Sequence, residues 1–382
     1  MKHTLKITIA TAACLSALLL VSCTQKKTTD IPLLDKAAFE KTIDGKPVSL
    51  YTLDSGNGLI IQVTNYGGRV VSIFAPDRNG KYEDIALGRE SIDSYRDGKG
   101  ERYLGPVVGR YANRIANGQF ELDGQIYNLP INNNGQTLHG GTKGFDSFAW
   151  DVIKADDKEI TFKYVSKDGD DGFPGNLTTE MTYKLTPENE FVITYKATTD
   201  KPTVVNLSNH SFFNLKGEGN GTITDHLMTI HASYITPIDS VLIPTGEIAP
   251  VEGTPFDFRK ETAIGARINE KDPQIVNGLG YDHNFVLDKT GNGVELAARV
   301  YEPTSGRVLE VYTDQPGIQF YSGNFFDGSA NGKTGKPISY REGIALETQK
   351  FPDSPNQPDF PSTRLDPEQT YTQTCIYKFS VQ

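Results

Sequence analysis

Over most of its length the chain returns to one pattern: a short run with alternating apolar residues, ended by a pair that turns the backbone. Such runs are Leu59–Val63, Ile160–Val165, Met181–Leu185, Phe191–Tyr195 and Val308–Tyr312. The turn signals include Asp44-Gly45, Asn79-Gly80, Asn117-Gly118, Asp123-Gly124, Asn134-Gly135 and Pro187-Glu188-Asn189. Period two sends successive side chains to opposite faces of a strand. Asn-Gly and Asp-Gly supply the left-handed backbone that tight hairpins need. Few windows carry a 3.6-residue apolar stripe, and 37 glycines with 21 prolines suit a many-stranded sheet protein with long loops. The expectation is an all-β chain folded as a sandwich or barrel.

The two ends set the surroundings. Lys2 and Lys6 precede an apolar stretch from Ile7 to Val21, followed by Ser22-Cys23. A charged start and a short apolar segment read as a secretory signal, too short to span a bilayer. A small residue before a cysteine at its end resembles the bacterial lipoprotein cleavage box, which implies that residues 1–22 are removed and Cys23 is acylated. Residues 23–36 would then tether a single domain, 37–382, to a membrane of the cell envelope. Of three cysteines, only Cys375 belongs to that domain, so no disulfide within it is expected. It shares an alternating face with Tyr377, Phe379 and Val381 and is expected in the core. The net charge of −10 argues against nucleic acid or a broad anionic surface as partner and leaves small uncharged ligands open. The oligomeric state is open.

Chemistry concentrates late in the chain. In Gly343-Ile344-Ala345-Leu346-Glu347-Thr348-Gln349 the carboxylate of Glu347 sits within an apolar run, on a face with small or polar neighbours. A buried carboxylate needs a partner, a raised pKa or a ligand, so Glu347 is the first candidate for an acid or base, against a cross-strand ion pair. Val205–His210 repeats the arrangement, with Asn206, Ser208 and His210 opposite Val205 and Leu207. Gly317, Gln319 and Tyr321 oppose Ile318 and Phe320, and Asp282 leads another apolar strand. Strands greasy on one side and rich in amides, imidazoles and carboxylates on the other suit a concave site for a hydroxyl-rich ligand. Phe212, Phe213, Tyr321, Phe325 and Phe326 are candidate platforms for a sugar ring. The prolines at 352, 355, 358 and 361 suggest a stiff rim to that cleft.

Seven segments in order make the sequence recognisable: Gly109–Ile115, Leu138–Gly141 with Gly144–Asp146, Asp168–Leu177, Asn206–Leu215, Gly280–Phe285, Pro316–Asn324 and Leu346–Ser362. From about Phe39 to Val381 the chain resembles the aldose 1-epimerase (galactose mutarotase) family. Ser208 and Phe212 stand where Thr and Tyr are more usual there. The resemblance implies a large antiparallel β-sandwich, the galactose mutarotase-like supersandwich, with a monosaccharide in an open cleft. It implies Glu347 as base, His210 as acid and His139 as an assisting group. Arg114, Asn113, Asp282 and Gln319 would bind sugar hydroxyls. Anomer exchange is proton transfer alone, so neither metal nor organic cofactor is expected. Carboxylates near His210 would keep it protonated.

Two other functions compete. A β-sandwich glycoside hydrolase would set two carboxylates across a glycosidic bond, whereas a non-catalytic, lipid-anchored sugar-binding protein would have lost Glu347 or His210. His283 faces away from its neighbour Asp282 on period-two geometry and reads as structural. Asp168–Gly172 suggests a calcium loop, but Gly172 and Phe173 fall where that loop needs a ligand and a glycine.

Overall fold

The computed structural model describes residues 31–382. The signal, Cys23 and most of the tether lie outside the described residues. Leu33–Gln382 form one unit. Residues 33–36, expected as the end of the tether, belong to it: the Leu34 N–H donates to Gln62 Oε1 at 2.9 Å, and Asp35 caps the turn Lys36–Phe39.

Strands dominate, and the described residues contain two short α-helices, Ile92–Tyr95 and Pro273–Gly278. A nine-stranded antiparallel sheet carries the long alternating runs: Leu177–Leu185, Glu190–Thr199, Tyr371–Val381 and Arg307–Thr313 lie side by side at its centre. Alternation explains the burial: Met181, Tyr183, Phe191, Ile193, Cys375 and Tyr377 all point inward. Each large apolar side chain fully buried in this way contributes about 1.5–3 kcal/mol.

A six-stranded sheet packs across that face. It runs Phe212–Phe213, Ile344–Gln349, Gly317–Tyr321, Asp282–Leu287, Ala232–Thr236, Ala249–Pro250, antiparallel throughout. Its Ile318, Phe320, Ile344 and Leu346 join Tyr183, Ile193 and Tyr377 in one core. The structure is the expected β-sandwich. Register then fixes the other face. Gln319 pairs with both Glu347 and Asn284, so three polar side chains cross the sheet in a row. Asp282 and Ala345 flank Tyr321 in the next row but one.

Val205–His210 differs from the expected single strand. Only Thr203–Val204 and Ser208–Asn209 are strand, each two residues long. Val205 and Leu207 still enter the core, but Asn206 and Ser208 are spent on the end of the Glu347 strand. Asn206 Oδ1 accepts the Lys350 N–H at 2.9 Å, and Ser208 Oγ donates to the Thr348 carbonyl at 3.0 Å.

Candidate active site

The polar face of the smaller sheet opens into a cavity of about 390 Å³, within the range of small-molecule sites. Glu347 and His210 line its floor, 2 % and 4 % exposed, with His210 Nε2 at 3.4 Å from Glu347 Oε1. Glu347 Oε2 and His210 Nδ1 are buried without any hydrogen-bond partner. Such groups are costly to leave unmet. The His210 main chain is fixed on both sides: its N–H donates to the Pro106 carbonyl, and its carbonyl accepts the Gly105 N–H.

His139 meets His210 edge to face, ring centroids 4.9 Å apart, and Tyr103 packs on both at 4.5 and 5.9 Å. A left-handed turn delivers His139 there: its φ is 50° and that of Gly140 is 86°. Gly140 is obligatory, because a Cβ would lie 1.9 Å from the Gly109 carbonyl oxygen. His139 Nδ1 accepts the Asn113 N–H at 3.0 Å, so its proton resides on Nε2. His139 is therefore a neutral donor.

Asn113 (φ 60°) and Arg114 form the adjoining wall. Asn113 Oδ1 accepts the Arg114 N–H at 2.9 Å, and Arg114 Nη1 stands 3.7 Å from Asp282 Oδ2. Asp282 Oδ1 accepts from Gln319 Nε2 at 2.7 Å. Gln319 does not line the cavity: it stands one layer back and aims Asp282. The other six expected site residues of this domain all line it.

Burial decides the charges. Glu347 is pushed well above the carboxylate range, first by burial and then by the nearby carboxyls of Asp282 and Glu101, with Arg114 opposing. Asp282 is raised by burial against Arg114 and Gln319. His210 falls to about 3, chiefly by burial. Burial thus opposes the protonated His210 expected from the sequence and favours the proton on Glu347. His139 is also held well below 6.5 by burial and its cationic neighbours.

Two further expectations change. The proline-rich loop after Glu347 is no rim. It props the Arg114 wall from behind: the Asp353 N–H donates to the Arg114 carbonyl, Asp353 Oδ1 accepts the Ala116 N–H, and the Tyr111 hydroxyl donates to the Phe351 carbonyl. Of the candidate aromatics, Tyr321 and Phe325 line the cavity, stacked at 5.8 Å, while Phe212 and Phe326 pack beneath Tyr321 and Phe213 lies in the main core. Sequence reasoning missed Glu101, Arg102, Tyr103, Asn133 and Leu242, all on the cavity wall. They sit in irregular loops without periodicity, and only the crowding of charge in Glu101-Arg102 beside Gly100 hinted at them. His283 is structural as expected, its Nδ1 accepting the Asp282 N–H at 3.1 Å.

His139, His210 and Glu347 bring ligand atoms within 4.8 Å of one another, a spacing that a zinc ion accepts. The donor chemistry does not fit. A ligating histidine donates its second ring N–H to an acceptor, but His139 Nδ1 faces the Asn113 N–H, itself a donor. Metal on either nitrogen would break that contact.

Fold and cleft define an acid–base enzyme on a β-sandwich, built around a buried Glu–His pair with a small polar cavity above it. A family model for aldose 1-epimerase matches residues 49–378, and the chain belongs to that family. Galactose mutarotase from Rattus norvegicus is 45% identical over 323 residues, covering 85% of this chain and 92% of its own. Aldose 1-epimerase from Escherichia coli (strain K12) is 38% identical over 338 residues, covering 88% and 96%. Among solved structures, an aldose epimerase homologue from C. elegans superposes with a TM-score of 0.81 at 29% identity, over 87% of this chain and 99% of that one. Galactose 1-epimerase from Lactobacillus acidophilus NCFM gives 0.78 at 30% identity, over 90% and 97%.

Proposed function

We propose that the chain interconverts the α and β anomers of free aldohexoses of the glucose and galactose type. Glu347 takes the proton of the anomeric hydroxyl while His210 gives one to the ring oxygen, and the bond from C1 to the ring oxygen breaks. The aldehyde turns about C1–C2. In closure Glu347 returns its proton to the aldehyde oxygen as His210 removes one from the attacking hydroxyl. The pair carries one proton throughout, and only its position alternates. With Glu347 protonated and His210 neutral, the free protein holds the arrangement that the ring-opened state needs. The Nε2–H of His139 is placed to donate to the sugar near the ring oxygen, and Asp282, aimed by Gln319, to accept from a ring hydroxyl.

The observation that carries this reading is the buried 3.4 Å contact between His210 and Glu347 within a polar cavity. A hydrolase would need a second carboxylate free to act, but Asp282 is held by Arg114 and Gln319, and Glu101 Oε1 accepts the Tyr103 N–H at 2.8 Å. Polarimetry on freshly dissolved α-D-galactose and α-D-glucose tests it. Accelerated equilibration lost in Glu347→Gln supports it. No acceleration on a panel of aldoses, or release of reducing ends from an oligosaccharide, would overturn it.

We also propose that Cys23 is acylated and holds the enzyme on the cell envelope. Lys2, Lys6, the apolar stretch to Val21 and Ser22-Cys23 support this, and the family match begins only at residue 49. Membrane association unchanged in Cys23→Ser would refute it.

A further inference from the structure

We propose that a second cavity beside the cleft is an anion subsite, which takes the acidic group of a charged saccharide whose reducing end lies over Glu347 and His210. This rests on the epimerase reading and adds the charge class of the substrate.

The second cavity, about 260 Å³, is lined by five cations: Arg69, Arg89, Arg96, Lys99 and Arg102. The carboxylates on its wall are Glu101 and Asp146. Asp146 is engaged, accepting from Arg102 Nε at 2.7 Å and Nη2 at 3.0 Å, with Arg69 Nη2 at 3.6 Å. Arg89, 5 % exposed, donates from Nη2 to Asp97 at 2.9 Å, while its Nε and Nη1 are buried without partners. Among the described residues Arg96 and Lys99 form no ion pair. A chain of net charge −10 has thus gathered uncompensated positive charge in one recess. Excess cations lining one recess, Arg96 and Lys99 at its exposed edge, attract a small anion.

The pocket offers charge, not a surface for a sugar ring. The Arg69 guanidinium covers Tyr66 and Tyr95 at 5.6 and 4.9 Å, and Arg96 lies 5.9 Å from the Tyr66 centroid. Gly100, Glu101 and Arg102 line both cavities, so one short segment divides them. The two arginines of the cleft are already engaged, Arg114 with Asp282 and Arg102 with Asp146, so the cleft holds no unpaired cation for an acid on the reducing sugar. The acidic group must therefore sit on a neighbouring unit, which makes the ligand an acidic disaccharide or longer.

The test compares cellobiose with the disaccharide whose non-reducing glucose carries a carboxylate at C6, in wild type and in the double variant Arg96→Ala/Lys99→Ala. Neither residue lines the cleft. Wild type should favour the acidic sugar in kcat/KM, less so as salt rises. The double variant should lose that preference by about tenfold or more, with cellobiose within about twofold of wild type. Equal acid-to-neutral ratios in both proteins overturn the subsite. So does turnover of glucose with neither disaccharide accepted. Sulfate that raises the wild-type Tm without altering the ratio would assign the cavity to free inorganic anions and overturn the saccharide assignment. If neither glucose nor galactose is equilibrated, the epimerase reading has failed, and this proposal falls with it.

Discussion

His210 Nε2 lies 3.4 Å from Glu347 Oε1, and both side chains are buried, so removal from water favours the neutral form of each. Burial raises the carboxyl and lowers the imidazole, so the single proton rests on Glu347. The ion pair that the proposed ring opening requires is therefore disfavoured in the free protein.

Glu347→Gln keeps the shape of the side chain and removes the base. We expect kcat to fall about 10²–10⁴-fold by polarimetry, with the circular dichroism spectrum unchanged. Retention of about a tenth or more of the wild-type rate would take the base role from Glu347.

The same variant has a stability signature. Glu347 has a folded pKa raised above its unfolded value, so its contribution is present below about 4.3 and is lost as pH rises through the raised value. Glutamine does not titrate. The Tm of Glu347→Gln minus that of wild type should grow more positive as pH rises from 4 to 8, scanned in about one-unit steps. A difference independent of pH would mean that the carboxyl ionises without penalty.

His283 gives the opposite slope. Burial lowers its pKa from 6.5 to about 3, so its contribution is present above about 6.5 and is lost as pH falls toward 3. His283→Gln should therefore lose less stability than wild type between pH 6.5 and about 4, with neutral-pH kcat within about threefold. Parallel Tm curves for the two proteins would contradict this.

Gln319 works through Asp282, to which it donates at 2.7 Å. Gln319→Leu should raise KM by about tenfold and leave kcat largely intact, since the lost bond is to a charged group. In Asp282→Ala, which removes the acceptor, the further change Gln319→Leu should add little. Full additivity of the two changes would show that Gln319 acts elsewhere.

Gly140→Ala should cost several degrees of Tm. The residue has φ 86°, and the added Cβ would meet the Gly109 carbonyl oxygen at 1.9 Å. Left-handed strain alone is worth about 1–3 kcal/mol. A variant as stable as wild type, with His139 still working, would show that the turn can yield.

Sheet content, the strands of the core and the polar face of Glu347 were legible because alternation is a local property that survives packing. Met181–Leu185 and Phe191–Tyr195 appear inside longer strands for that reason. Val205–His210 shows the limit: its pattern is right, but it is held by bridges and side-chain bonds to Lys350 and Thr348, partners about 140 residues away. Tyr103 and Leu242 left no signal, and Glu101 only a weak one, because loop residues reach the cleft by the path of the chain and not by any period.

The sequence by itself determined that the chain is a β-sandwich, that Glu347 and His210 face a polar surface, and which family it resembles. Only the tertiary structure decided that Gln319 stands behind Asp282, that the proline loop braces Arg114, and that burial lowers the His210 pKa. Those outcomes depend on register across strands and on removal from water. Neither register nor desolvation is written in the local order of residues, because both arise when distant segments close over one another.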